Sequence, residues 1–128
     1  MSHKHIVIIA IVVELIFWLG VMACQAEEFT NTQIVNAIYK AEGGAKAQYP
    51  YGIRSIKCET KSDCRRICLN TVKNNRKRYE QYGRDRGYKT YLEFLASRYC
   101  PTKGILSRAE KNLNKNWLKN VKFFLKNP

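Results

Sequence analysis

Nine acids lie beyond residue 26 of this basic chain, and one of them is placed unlike the rest. Glu27, Glu28, Glu59, Asp63, Glu80, Asp85, Glu93 and Glu110 stand mostly among lysines and arginines and read as solvated surface charges. Glu42 instead closes an apolar stripe. In "IVNAIYKAEGG", Ile34, Ala37, Ile38 and Ala41 recur at i, i+3, i+4 and i+7, the mark of one helix face. The acid falls at the C-terminal end of that helix, where the backbone dipole disfavours an anion and so favours the protonated form. Gly43 and Gly44 follow, then Tyr49-Pro50-Tyr51-Gly52, a loop of aromatic and turn residues. A carboxyl that keeps its proton beside such a loop suits general acid catalysis on a substrate that stacks on aromatic rings.

Other chemistries are poorly supplied. Both histidines, His3 and His5, precede the apolar N-terminal run, which removes Ser-His-Asp and Cys-His catalysis from the rest of the chain. There is no phosphate-binding glycine loop and no dinucleotide glycine pattern. Cys58, Cys64, Cys68 and Cys100 lack zinc-finger spacing. No cofactor and no metal are expected.

The acid needs a compartment and a scaffold. Residues 6–23, "IVIIAIVVELIFWLGVMA", follow a short basic stretch and end in small residues, the layout of a secretory signal. A retained membrane anchor is disfavoured by Glu14, since a centred acid costs about 2.5–3.5 kcal/mol on insertion scales. The expected division is a signal over 1–26 and one domain over 27–128. Two exits are open: cleavage after Ala26, or a lipobox-like Val21-Met22-Ala23-Cys24 that makes Cys24 a lipidated N-terminus. Removing Cys24 leaves four cysteines, an even number that fits disulfides in an exported domain. Of the three pairings, Cys58–Cys64 with Cys68–Cys100 is expected, because Cys64 and Cys68 sit one helical turn apart, a poor geometry for a bridge. The net charge of +13 points to an anionic partner, a cell envelope rather than nucleic acid in an exported protein.

Helical periodicity dominates the domain. Helices are expected over 32–41 with Thr32 as N-cap, over 63–82 behind Ser62, over 88–99 up to Cys100-Pro101, and over 115–127 behind Asn114. The segment 43–61 reads as an irregular loop or a short β-hairpin. The expected class is mainly α, with Ile67, Val72, Tyr79, Tyr82, Tyr91, Leu92, Leu95, Tyr99, Trp117, Val121, Phe124 and Leu125 facing inward. Arg65, Arg66, Lys73, Arg76, Lys77 and Arg78 form a basic outer face.

The stretch "IVNAIYKAEGG" followed by "YPYGI" resembles the catalytic helix and groove loop of the lysozyme-like superfamily, chiefly lytic transglycosylases and goose-type lysozymes. "RRICLNTVKNNRKRY", "YLEFLASRYCP" and "LNKNWLKNV" are similar to small exported members of that group. The resemblance implies a lysozyme-like helical domain with Glu42 as its single general acid/base and Tyr51-Gly52-Ile53 lining the sugar groove. Gly43 stands where the family usually has serine. The implied partners are the glycan strands of peptidoglycan and an anionic envelope surface, with membrane contact only through the signal or a lipid on Cys24. A monomer in the periplasm or outer envelope, or secreted, is expected. Because no second carboxyl can be placed beside Glu42, an internal 1,6-anhydro product is favoured over hydrolysis, which remains open. Tyr51 and Tyr99 are candidates for stacking on sugars and equally for core packing. Asn70 and Asn116 are candidates for hydrogen bonds to N-acetyl or hydroxyl groups. The rival reading is a non-enzymatic cationic envelope-binding or antimicrobial protein.

Overall fold

The computed structural model describes residues 28–100 and 107–128, so the expected signal over 1–26 and the lipidation of Cys24 lie outside the described residues. The fold is mainly α. Among the described residues four helices form: α1 (Asn31–Ala41), α2 (Lys61–Arg78), α3 (Tyr91–Tyr99) and α4 (Arg108–Lys126). A 3₁₀ turn (Gly44–Lys46) follows α1, and a π turn (Tyr79–Gly83) extends α2. Among the described residues there is no strand, so the segment after α1 is the irregular loop and not the hairpin. No described helix is long and apolar enough to cross a membrane.

Helix starts are set by hydroxyl caps. Thr30, Thr90 and Ser107 each accept from the backbone N–H three residues on, while Gln33, Glu93 and Glu110 reach back to the cap. Thr60 caps α2 by accepting from Asp63 N–H. The expected caps Thr32, Ser62 and Asn114 are thereby corrected: each lies inside its helix, because an earlier hydroxyl captures the free N–H groups first. Likewise α3 starts at Tyr91, not at 88.

Helix α1 is central and packs on both α4 and α2, while α3 bridges α2 and α4. Ile34, Val35, Ala37 and Ile38 of α1 are buried, as are Val72, Tyr91, Phe94, Leu95, Trp117, Val121 and Leu125. Fully burying a large apolar side chain contributes about 1.5–3 kcal/mol, so this interior holds α1 rigidly between its neighbours. Phe94, 1% exposed, takes edge contacts from Tyr82 and Tyr88 and a tilted one from Tyr79.

The start of α1 is tied separately. Arg76 donates from Nε to Asn31 Oδ1 at 2.7 Å and from a terminal nitrogen to the Phe29 carbonyl at 2.6 Å, and its guanidinium lies 4.4 Å from the Tyr91 ring centre. Arg76 therefore belongs to the packing between α1 and α2 and not to the outer basic face. Its planar fork meets an amide, a carbonyl and an aromatic face together, which a lysine cannot do.

Candidate active site

Glu42 caps the C-terminus of α1, its N–H still bonded to the Ile38 carbonyl at 2.9 Å. The helix thus delivers its last side chain to a fixed place. Three other segments meet there. Trp117 of α4 donates its indole Nε1–H to Glu42 Oε1 at 2.8 Å. Tyr99, at the end of α3, stacks on the Trp117 ring with centres 5.0 Å apart and planes 22° apart. The Tyr99 hydroxyl donates to the Tyr51 carbonyl at 2.6 Å, which anchors the loop beside the acid.

Gly52 is the fourth wall. Its φ of +69° lies in the left-handed region that favours glycine. A Cβ built there would stand 2.5 Å from Glu42 Oε1 and 2.7 Å from its Cδ, closer than real contacts allow. The bare backbone of the loop therefore presses directly on the carboxyl.

Burial pushes the Glu42 carboxyl above its ordinary value, against the opposing effects of the Trp117 hydrogen bond and the Arg54 charge. Desolvation disfavours the charged form, so the proton is held more tightly. The thiols nearby are also raised by burial, Cys68 to about 11 and Cys100 to about 12, with the Glu42 charge adding to each. Tyr99 is pushed up by burial in the same way. Among the described residues no hydrogen bond joins Glu42 to a second acid: Asp63 is paired with Arg66 in the first turn of α2, Glu59 is exposed, and Glu110, which feels the same Arg54 charge, is engaged by its cap Ser107.

Several expected residues meet at this place and others do not. Glu42, Tyr51, Gly52 and Tyr99 come together. Tyr51 is 5% exposed, its ring 5.2 Å from that of Tyr39, and Ile53 is half-buried in the same loop. Tyr51 and Tyr99 serve as framework here, one through its carbonyl and the other through its hydroxyl. Asn70 and Asn116 are exposed on α2 and α4, apart from the bonds that hold Glu42.

The Cys58–Cys64 bridge forms, but Cys68 and Cys100 are free thiols, which corrects the expected second pair. Buried Cys68 approaches the Tyr99 hydroxyl at 3.5 Å instead. Sequence reasoning placed Trp117 only in the core and gave Arg54 no role. A buried indole N–H almost always has an acceptor, and that rule was the available signal for Trp117.

Among the described residues no group of three or more His, Cys, Asp or Glu side chains could hold a metal ion. What the arrangement offers is one proton carrier, held by an indole and backed by glycine. Compared with known protein families, curated proteins and solved structures, the chain matches none.

Proposed function

We propose that the chain is a peptidoglycan-cleaving muramidase of the lytic transglycosylase type, with Glu42 as its single general acid/base. The observation that carries this reading is the Glu42 carboxyl itself, held at 2.8 Å by Trp117 and raised above its ordinary value by burial. A carboxyl in that state keeps a proton to donate at higher pH than a solvated one, and a catalytic pKa near the working pH is the most effective.

In this reading protonated Glu42 gives its proton to the oxygen linking N-acetylmuramic acid to N-acetylglucosamine. The C1–O bond breaks and the N-acetylglucosamine end leaves as an alcohol. The muramic 6-hydroxyl then bonds to C1 while its proton passes to the Glu42 carboxylate, which restores the acid. The product is a 1,6-anhydro sugar and no water is consumed. Two-carboxyl glycosidases need a second acid about 5–5.5 or 6.5–9.5 Å from the first. Asp63 is engaged by Arg66 and Glu110 by its cap Ser107, which supports the one-acid route over hydrolysis. Export to the periplasm, outer envelope or medium belongs to the same proposal.

Digestion of purified peptidoglycan by wild type and Glu42→Gln tests it. The expected result is release of muropeptides one water lighter than hydrolytic products, with a loss of at least ~10²-fold in the variant, the low end for a positioned acid/base. Equal rates would remove Glu42 from the chemistry, and reducing-end muramic acid would convert the assignment to a lysozyme. The net charge of +13 favours a second reading, a cationic envelope-binding protein. Tight binding of the wall by the folded, oxidised chain with no cleavage would establish it instead.

A further inference from the structure

A cavity beside the candidate site is not lined by Glu42. It has a volume of about 590 Å³, within the range of small-ligand sites. Tyr51 and Ile53, the residues flanking Gly52, both line it. The 51–53 turn thus serves two places, with Gly52 against the carboxyl and its neighbours in the cavity wall.

The cavity combines an aromatic floor with a cationic rim. Tyr39, Tyr49 and Tyr51 supply the rings. Arg54, Lys57 and Lys61 supply three cations against one acid, Glu59. The Arg54 guanidinium lies 5.6 Å from the Tyr49 ring centre and Lys61 Nζ lies 5.1 Å from that of Tyr39. Among the described residues the ion pairs engage Arg66 and Arg76, and none of these three cations. Tyr49 and Ile56 remain 41% and 52% exposed at this place. The Arg54 charge is shared with Glu42 and Glu110, but among the described residues Lys57 and Lys61 make no ion pair, and such cations over exposed apolar surface suit a ligand that brings an anion and apolar groups together. A bare phosphate covers none of the rings, and a neutral sugar leaves the charges unanswered.

We infer that this cavity binds a short carboxylate-bearing peptide, the stem attached to the glycan whose bond Glu42 cleaves. The inference rests on the muramidase reading and deepens it. Arg54 connects the two places, since it lines the cavity and its charge also acts on Glu42.

The test is calorimetric titration of the oxidised full chain with a stem tetrapeptide as the free acid, the same peptide fully amidated, and inorganic phosphate. Wild type and the double variant Lys57→Gln/Lys61→Gln are compared, both positions being exposed. The free acid is expected to bind about 5- to 10-fold more tightly than the amide, the size of two exposed ion pairs. The double variant should lose that preference and leave amide binding unchanged. No binding of the free acid, equal binding of the two peptides, an unaffected double variant, or phosphate binding as tightly as the peptide would each overturn the inference. Cleavage of glycan strands with and without stems is measured in parallel. The double variant should raise KM on stem-bearing strands and leave peptide-free strands unaffected. Peptide binding without any cleavage would refute the muramidase reading and leave the peptide site standing, whereas cleavage without binding would refute the peptide site alone.

Discussion

Replacing Gly52 with alanine adds one methyl group to the wall of the candidate site, and its effect can be worked from distances. The new Cβ would stand 2.5 Å from Glu42 Oε1 and 3.1 Å from Oε2. Ordinary contact begins at about 3.4 Å, so the carboxyl must give way by about 0.9 Å. A movement of that size breaks or distorts the 2.8 Å bond from Trp117. Hydrogen bonds to charged groups contribute about 1.5–3 kcal/mol. The left-handed backbone adds about 1–2 kcal/mol for any residue with a Cβ.

A control for that second cost is present in the same chain. Gly87 also has a left-handed backbone, φ +87°, and a Cβ there meets nothing within 4 Å. Gly87→Ala should therefore show the backbone cost alone. Gly52→Ala should melt lower than Gly87→Ala by roughly 10 °C, taking about 4–8 °C per kcal/mol for a domain of this size. In the peptidoglycan digestion, Gly87→Ala should behave as wild type. Gly52→Ala should lose about 10²-fold, the effect of displacing a catalytic group by about 1 Å. Equal melting and equal activity of the two variants would refute the claim that the loop backbone positions the acid.

Three further outcomes follow from the same geometry. Because burial raises the Glu42 carboxyl in the folded state, folding takes up protons between its ordinary value and the raised one. The Glu42 contribution to stability is thus full below about pH 4 and declines as pH rises through that window, so Glu42→Gln should melt higher than wild type at neutral pH and lose the advantage in acid; a gap independent of pH contradicts this. Trp117→Phe removes a donor that favours the charged carboxyl, so the alkaline edge of activity should move to higher pH, and an unmoved or lowered edge in the pH–rate profile counts against the clamp. Replacing Cys58 and Cys64 together by serine opens a bridge of sequence separation 6 and should cost about 2 kcal/mol by loop-closure entropy, read as a lower denaturant midpoint.

What the sequence disclosed was largely local. The stripe Ile34, Ala37, Ile38 and Ala41 fixes which way α1 faces and so where Glu42 emerges, and Tyr51-Gly52 lies only ten residues further on. The Trp117–Glu42 bond spans 75 residues, and no spacing rule reports it. The helix starts were legible but missed. Thr30 with Gln33, Thr90 with Glu93 and Ser107 with Glu110 all fit the reciprocal capping pattern, yet later Thr, Ser or Asn residues competed for the role. Asn70 and Asn116 show the opposite failure, since a polar side chain on a helix carries no sign of what it faces. Arg76 looked like one more surface cation in a basic run, and only the packing of α2 on α1 makes it a tie. Cysteine parity suggested two bridges, but parity says nothing about where the chain carries Cys68 and Cys100.

The hold of α4 on Glu42 also has a consequence in time. The acid is synthesised early, but its indole partner lies in the last helix, whose packing against α1 waits for the end of the chain. Until α4 docks, Glu42 lacks its indole bond. On the muramidase reading, an unfinished chain is then harmless to the wall it passes through, and any truncation before Trp117 leaves a protein that carries the acid without the power to use it.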